Sequence, residues 1–235
     1  DGLNIRTLTE GGMNLIPSWF PDSDQLVFMK VNPKPKQDPA RNAKIYFINL
    51  VKGETRRLFT DKEQLKYSNA MPVISPKGDR IAFISDRSGE MRVWVSALDG
   101  SGGKQLSKPE NNFHDEIKAP FEQKVPAWSP DGKWIAHWEG VEMIHMSRFT
   151  GIPNPKRDQL IASTFSVWVV GEDGIGRRKI GRGDDPTWSP DGFVTRAFPD
   201  SSRGGPVVMA RTSNGEKILP IVPPRRNWGR FCWIP

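Results

Sequence analysis

The sequence predicts an all-β fold, a β-propeller of four-stranded blades, and three observations carry that prediction. A proline-centred tetrad recurs four times, after an apolar residue and ahead of an apolar run. Its prolines stand at 21, 76, 130 and 190, so successive copies lie 55, 54 and 60 residues apart. Periods of about 40–50 residues mark propeller blades or solenoid turns. Each copy also contains short β-forming runs separated by Gly-bearing turns, enough for four strands, and four strands arranged radially make a blade.

The elements follow in order within a copy. The tetrads are Phe20-Pro21-Asp22-Ser23, Ser75-Pro76-Lys77-Gly78, Ser129-Pro130-Asp131-Gly132 and Ser189-Pro190-Asp191-Gly192. Proline presets φ and glycine accepts positive φ, so each tetrad is a tight turn out of a first strand. Second strands follow, as in Ile81-Ala82-Phe83-Ile84 and Trp134-Ile135-Ala136-His137-Trp138. Third strands are Ile45 to Ile48, Val93 to Val95, Val167 to Val170 and Val207 to Ala210. Hairpin turns at Lys52-Gly53, Asp99-Gly100, Asp173-Gly174 and Asn214-Gly215 then lead to fourth strands. Those strands begin at Arg57, Lys104, Arg178 and Lys217. The four repeats cover about 17–60, 72–107, 126–182 and 186–220 of one domain spanning 1–235. A partial fifth copy, Phe231-Cys232-Trp233-Ile234-Pro235, closes the chain.

The motif Pro-x-Trp-Ser-Pro-Asp-Gly, then Ile-Ala-Phe, Ser-Asp-Arg-x-Gly and an aromatic strand, resembles the TolB-like propeller repeat of the WD40-like class. Ile81 to Trp94, with Ser85-Asp86-Arg87-Ser88-Gly89 inside, is the best copy. The resemblance covers nearly the whole chain. It implies the fold and a periplasmic or cell-envelope location; activity does not follow from fold, since the same repeat serves scaffolds, peptidase accessory domains and lyases.

With 36% hydrophobic and 26% charged residues the composition is that of a soluble chain, and no apolar run reaches the roughly 18–20 residues of a membrane span. The chain begins at Asp1 without a signal-like segment, which reads as a processed form or part of something longer. Lone Cys232 has no internal disulfide partner and no metal-ligand spacing. Residues 3–9 look like the fourth strand of a blade and 231–235 like a first strand, so the chain ends are expected at a seam. Four blades closing there, further blades outside the sequence, or a partner completing the ring all satisfy that pattern.

Strand order sorts the connections. Every tight turn falls on one rim, whereas the insertions at 31–43, 108–124, 139–164 and 199–205 fall on the other. Long loops on a rigid scaffold are favoured binding elements. The segment Asn32 to Pro39 is Pro-rich and should form an extended arm, and Lys156-Arg157-Asp158 reads as an exposed turn.

Charge is uneven. Residues 1–60 carry nine Lys or Arg against six Asp or Glu, 61–174 carry 14 against 16, and 175–235 carry 11 against five. A basic sector is therefore expected, dominated by Arg177, Arg178, Lys179, Arg182, Arg225, Arg226 and Arg230, with Lys34, Lys36 and Arg41 on the arm. Such a sector suits an acidic protein or an anionic membrane surface. No nucleic-acid recognition motif accompanies it. Trp19, Trp128, Trp188 and Trp233 share one motif position and read as wedges between blades, with Trp94 and Trp168 as core.

Catalytic constellations are sparse. No Gly-x-Ser-x-Gly elbow exists for a serine peptidase, although the chain could be such an enzyme's accessory propeller. His114 and His145 fall in insertions on the long-loop rim, His137 stands on a second strand, and Glu116, Glu139 and Glu142 are nearby. These are the candidate metal ligands of the alternative reading, a carbohydrate-binding or metal-dependent oligosaccharide lyase propeller. The principal reading is a non-catalytic scaffold without cofactor, a peripheral extracytoplasmic subunit that binds a protein partner in a membrane-associated complex through the long-loop rim.

Overall fold

A computed structural model describes residues 5–32, 42–108, 113–116, 119–141, 155–197, 207–211 and 219–222, as backbone alone from 193 onward. Four antiparallel sheets follow one another along the chain. The first is β1 (Met13–Trp19), β2 (Gln25–Val31), β3 (Ala43–Asn49) and β4 (Thr55–Arg57). The second is β5 (Asn69–Ile74), β6 (Arg80–Ser85), β7 (Arg92–Ala97) and β8 (Lys104–Gln105). In the third, a two-residue strand β9 (Phe113–His114) precedes β10 (Ala119–Trp128), β11 (Trp134–Val141), β12 (Ser166–Gly171) and β13 (Arg178–Arg182). The fourth is β14 (Asp184–Trp188), β15 (Phe193–Ala197), β16 (Val207–Arg211) and β17 (Leu219–Val222). Within each sheet the strands run in sequence order, each paired to the next, which is the meander of a propeller blade.

The tetrads form the turns that their residues require. The amide of the fourth tetrad residue donates to the carbonyl of the first in all four copies, at 2.8–3.0 Å. The fourth residue has positive φ: Gly78 at 74°, Gly132 at 70°, Gly192 at 80°, and Ser23 at 62° in the first copy. Ser75 and Ser129 hydroxyls accept the amides of Arg80 and Trp134 across the turn, at 3.1 and 2.9 Å.

A second repeated device lies one turn earlier. Each first strand carries a register shift, and each shift holds a non-glycine residue of positive φ directly before a proline. These are Ile16 (53°), Met71 (51°), Val125 (51°) and Asp185 (41°). Proline has no amide to give a ladder, so a bulge is where an inner strand can hold it. Positive φ at β-branched Ile16 and Val125 is strained, and the surrounding sheets impose it.

Beyond the bulge the blades are joined. Trp128 donates its indole N–H to the Val73 carbonyl at 3.2 Å, and Trp188 repeats the bond to Ala127 at 2.9 Å. Each acceptor is the residue after the bulge proline of the preceding sheet. Both indoles are buried, whereas Trp19 is 58% exposed and has no such acceptor among the described residues. Trp19, expected to be a wedge between blades like Trp128 and Trp188, is therefore not buried between sheets among the described residues.

The core lies between sheets. Phe20, Phe47 and Phe59 of the first copy pack on Ile74, Ile81 and Phe83 of the second. Ala136, Val167 and Val169 of the third sheet pack on Trp188 of the fourth. One departure from sequence expectation is a helix, α1 (Pro155–Thr164), where Lys156-Arg157-Asp158 had suggested an exposed turn. Pro155 opens it at the position proline favours. Its Ile161 is buried with Val141 at the end of β11, against Ala119, Phe121, Leu160 and Phe165.

Candidate functional site

The antiparallel order puts the tetrad turns and the β3–β4-type hairpins at one rim and the joins of the insertions at the other. At that second rim the third sheet differs from its neighbours. The β9–β10 hairpin extends its inner strand, with Ala119 opposite His114, and α1 covers the end of β11. Between them is a half-open cleft of about 260 Å³. His114 and Phe121 form one wall, their rings stacked at 6.0 Å and 28°. Ser163 and Thr164 from α1, Ser166, Trp168 and Lys179 from β12 and β13, and Glu139 from β11 also line the cleft.

Glu139 is the centre of a buried polar network. It is 3% exposed, and its Oε1 accepts three bonds: from Gln123 Nε2 at 2.8 Å, Arg177 Nη2 at 2.6 Å and His137 Nε2 at 3.3 Å. Burial pushes the carboxyl up, but the His137 and Arg177 hydrogen bonds and charges together outweigh it and hold it below the ordinary range. Glu139 is therefore a carboxylate at neutral pH. Among the described residues no donor reaches its Oε2, which is not fully enclosed, and Glu139 lines the cleft.

Each partner is positioned by its own element. Gln123 is fully buried on β10; its Oε1 accepts the Val93 amide of the second sheet at 3.0 Å, and its Nε2 also reaches Ser107 Oγ at 2.9 Å. The network thus ties two blades together. Arg177 follows Gly176, whose φ of 71° carries the chain close over the Trp134 ring, 3.0 Å from where a Cβ would stand. The Arg177 guanidinium then stacks 3.6 Å from the Trp168 ring centre. His137, opposite Trp168 in register, is fully enclosed, and its Nδ1 has no hydrogen-bond partner. Next to Gln123, Glu122 and Lys124 form a buried ion pair at 3.2 Å. Buried Arg92 donates to the Met91 and Phe121 carbonyls at 3.0 and 2.8 Å.

Of the residues expected to bind a partner, Arg177 is bonded to Glu139, and Arg178 lies 4.6 Å over the Trp134 ring. Lys179 and Arg182 are exposed on β13. Lys34, Lys36, Arg41, Arg225, Arg226 and Arg230 lie outside the described residues, as does His145. Of the proposed metal pair, then, only His114 is placed, in the cleft wall. Among the described residues no group of three or more His, Cys, Asp or Glu is arranged to hold a metal ion. Gln123, Ser107 and the inward role of Arg177 had no signal in the sequence, because no spacing links residues that meet across strands and blades.

No family model matches the chain. It is 27% identical over 194 residues to a protein named TolB homolog from Protochlamydia amoebophila, covering 82% of this chain and 37% of that protein. It is 29% identical over 158 residues to the TolB homolog of Chlorobium luteolum, covering 56% of this chain and 34% of that one. The solved structure of TolB from Acinetobacter baumannii superposes with a TM-score of 0.60 at 19% identity, over 88% of this chain and 43% of that one. The chain is similar in sequence to TolB homologs and has the β-propeller fold of TolB. It spans little more than a third of the length of those two curated relatives. The TolB-like fold is also shared with an oligogalacturonate lyase solved with manganese, at a TM-score of 0.61 and 13% identity, over 92% of this chain and 54% of that one. That likeness concerns the fold alone.

Proposed function

We propose that this chain is a non-catalytic, protein-binding propeller of the TolB type, acting as a peripheral subunit of a membrane-associated complex in the periplasm or cell envelope. The observation that carries the reading is the sorting of the two rims. Tight turns occupy one, and the other bears the insertion joins, α1, the added β9–β10 hairpin and the cleft. A rigid scaffold presenting irregular elements on one rim is the usual arrangement of a binding surface. The extracytoplasmic location rests on the resemblance to TolB. Among the described residues no helix is long and apolar enough to cross a membrane. The reading takes residues 1–235 as one propeller unit, with segments 3–9 and 231–235 at its seam. Exposed Lys179 and Arg182, with the basic residues of the arm and the C-terminal segment, supply the charge that steers an acidic partner.

The test is the native mass of the protein, gently solubilised from its source at low salt. A particle much heavier than the 26.5 kDa chain that dissociates as salt rises is the expected result. A compact monomer at every salt concentration overturns it.

A further inference from the structure

The cleft has the dimensions and chemistry of a socket for one side chain. About 260 Å³ admits a single ring and excludes a helix or a strand. Its buried carboxylate has one oxygen committed three times over and the other uncommitted. An ionised oxygen left in a closing interface requires a donor. A second cation would gain little there, since Arg177 already stands 2.6 Å from Oε1 and Lys179 lines the cleft. A neutral donor is favoured. The flanking rings of Phe121, His114 and Trp168 ask that the donor be carried at the tip of an apolar, flat group. Among side chains tyrosine combines these properties, and tyrosine is enriched among the anchors of protein interfaces.

Resting on the protein-binding reading above, we propose that this cleft is the anchor pocket for a tyrosine of the partner, its ring against Phe121 and its hydroxyl donating to Glu139 Oε2. Lys179 lines the same cleft, its Nζ 5.7 Å from the Trp168 ring centre. Phenylalanine fills the same space but leaves Oε2 desolvated without a donor, so a site built to hydrogen-bond a hydroxyl rejects it.

The experiment titrates N-acetyl-tyrosinamide, N-acetyl-phenylalaninamide and methyl glucoside into the purified chain and follows backbone amide shifts at Ser163, Ser166 and Lys179. Saturable binding of the tyrosine probe, roughly tenfold or more tighter than the phenylalanine probe, is expected. Ser163→Phe, on the exposed rim and outside the Glu139 network, should fill the pocket and abolish binding while the remaining spectrum stays folded. Equal binding of the two aromatic probes, binding of neither, preference for the glucoside, or unchanged binding by Ser163→Phe overturns the proposal. The native-mass measurement separates the two readings. A heavy particle with no tyrosine binding removes the anchor and leaves the docking surface, whereas a monomer removes the docking reading itself.

Discussion

Trp188 donates its indole N–H to the Ala127 carbonyl at 2.9 Å, one blade on from the bond that Trp128 makes to Val73. The same residue type, at the same motif position, reaches the same backbone group of the preceding sheet. The motif tryptophan is therefore a joint, and a hydrogen bond sets its angle in addition to apolar burial.

Trp188→Phe removes the indole donor and part of the buried ring, and should cost about 1–3 kcal/mol. Trp128→Ala should cost about 3–5 kcal/mol through lost burial and the cavity left behind. Trp19→Ala, at a 58% exposed site, should stay within about 0.5 kcal/mol. Urea midpoints of the three variants check the order. A Trp19 variant as damaged as Trp128→Ala would mean that another sheet covers the first.

Glu139 makes acid stability specific to one residue. Its folded-state pKa lies below the ordinary value, so its contribution is present above the unfolded pKa of about 4.3 and is lost as pH falls through the folded pKa. Glu139→Gln should flatten the fall of Tm below about pH 4. Arg177→Ala leaves the carboxylate buried with less compensation. Because Arg177 is partly exposed, its cost should sit at the low end of about 3–5 kcal/mol at pH 7. Thermal scans from acid to neutral pH read both effects.

Asp184 has the opposite sign. Burial, and then the neighbouring Asp185 charge, raise its pKa from 3.8 to about 6. The folded state holds this proton more tightly than the unfolded chain. Stability is therefore fully present below about pH 4 and declines as pH rises through about 6. Asp185→Asn removes the like charge and tolerates the positive φ at that bulge. It should lower the Asp184 pKa and shallow that decline, measured by carboxyl NMR titration.

Gly140 is needed for space. A Cβ there would stand 2.5 Å from Phe165 Cδ1 and 3.2 Å from Thr164 Oγ1, and Phe165 is itself held 4.8 Å from the Trp138 ring centre. Gly140→Ala should destabilise by about 1–3 kcal/mol through overpacking. Combining it with Phe165→Leu should recover part of that loss. Chemical denaturation of the two single variants and the pair gives the coupling directly.

Local chemistry explains what was readable in advance. The Ser-Pro-Asp-Gly turns and the alternating strands of the four repeats depend on residues within a few positions of each other. Fourth strands were placed to within two or three residues; β4 pairs at Thr55–Arg57, and Leu58 continues its ladder to Ile45 at 3.0 Å. The helix at 155–164 escaped notice because its charged start resembles a turn and its buried residues serve the end of β11 rather than a long amphipathic face.

The sequence by itself determined the repeat, its four strands, its turns and the rim that bears the insertions, because proline, glycine and β-branched residues act on their own backbone. Tertiary structure alone decided that Glu139 collects Gln123, His137 and Arg177, that Arg177 turns inward while Lys179 remains exposed, and that Trp19 differs from Trp128 and Trp188. Those outcomes depend on which sheets pack side by side and how much water reaches the gap between them. The energy of a buried charge is set by that surrounding space, which no local pattern encodes.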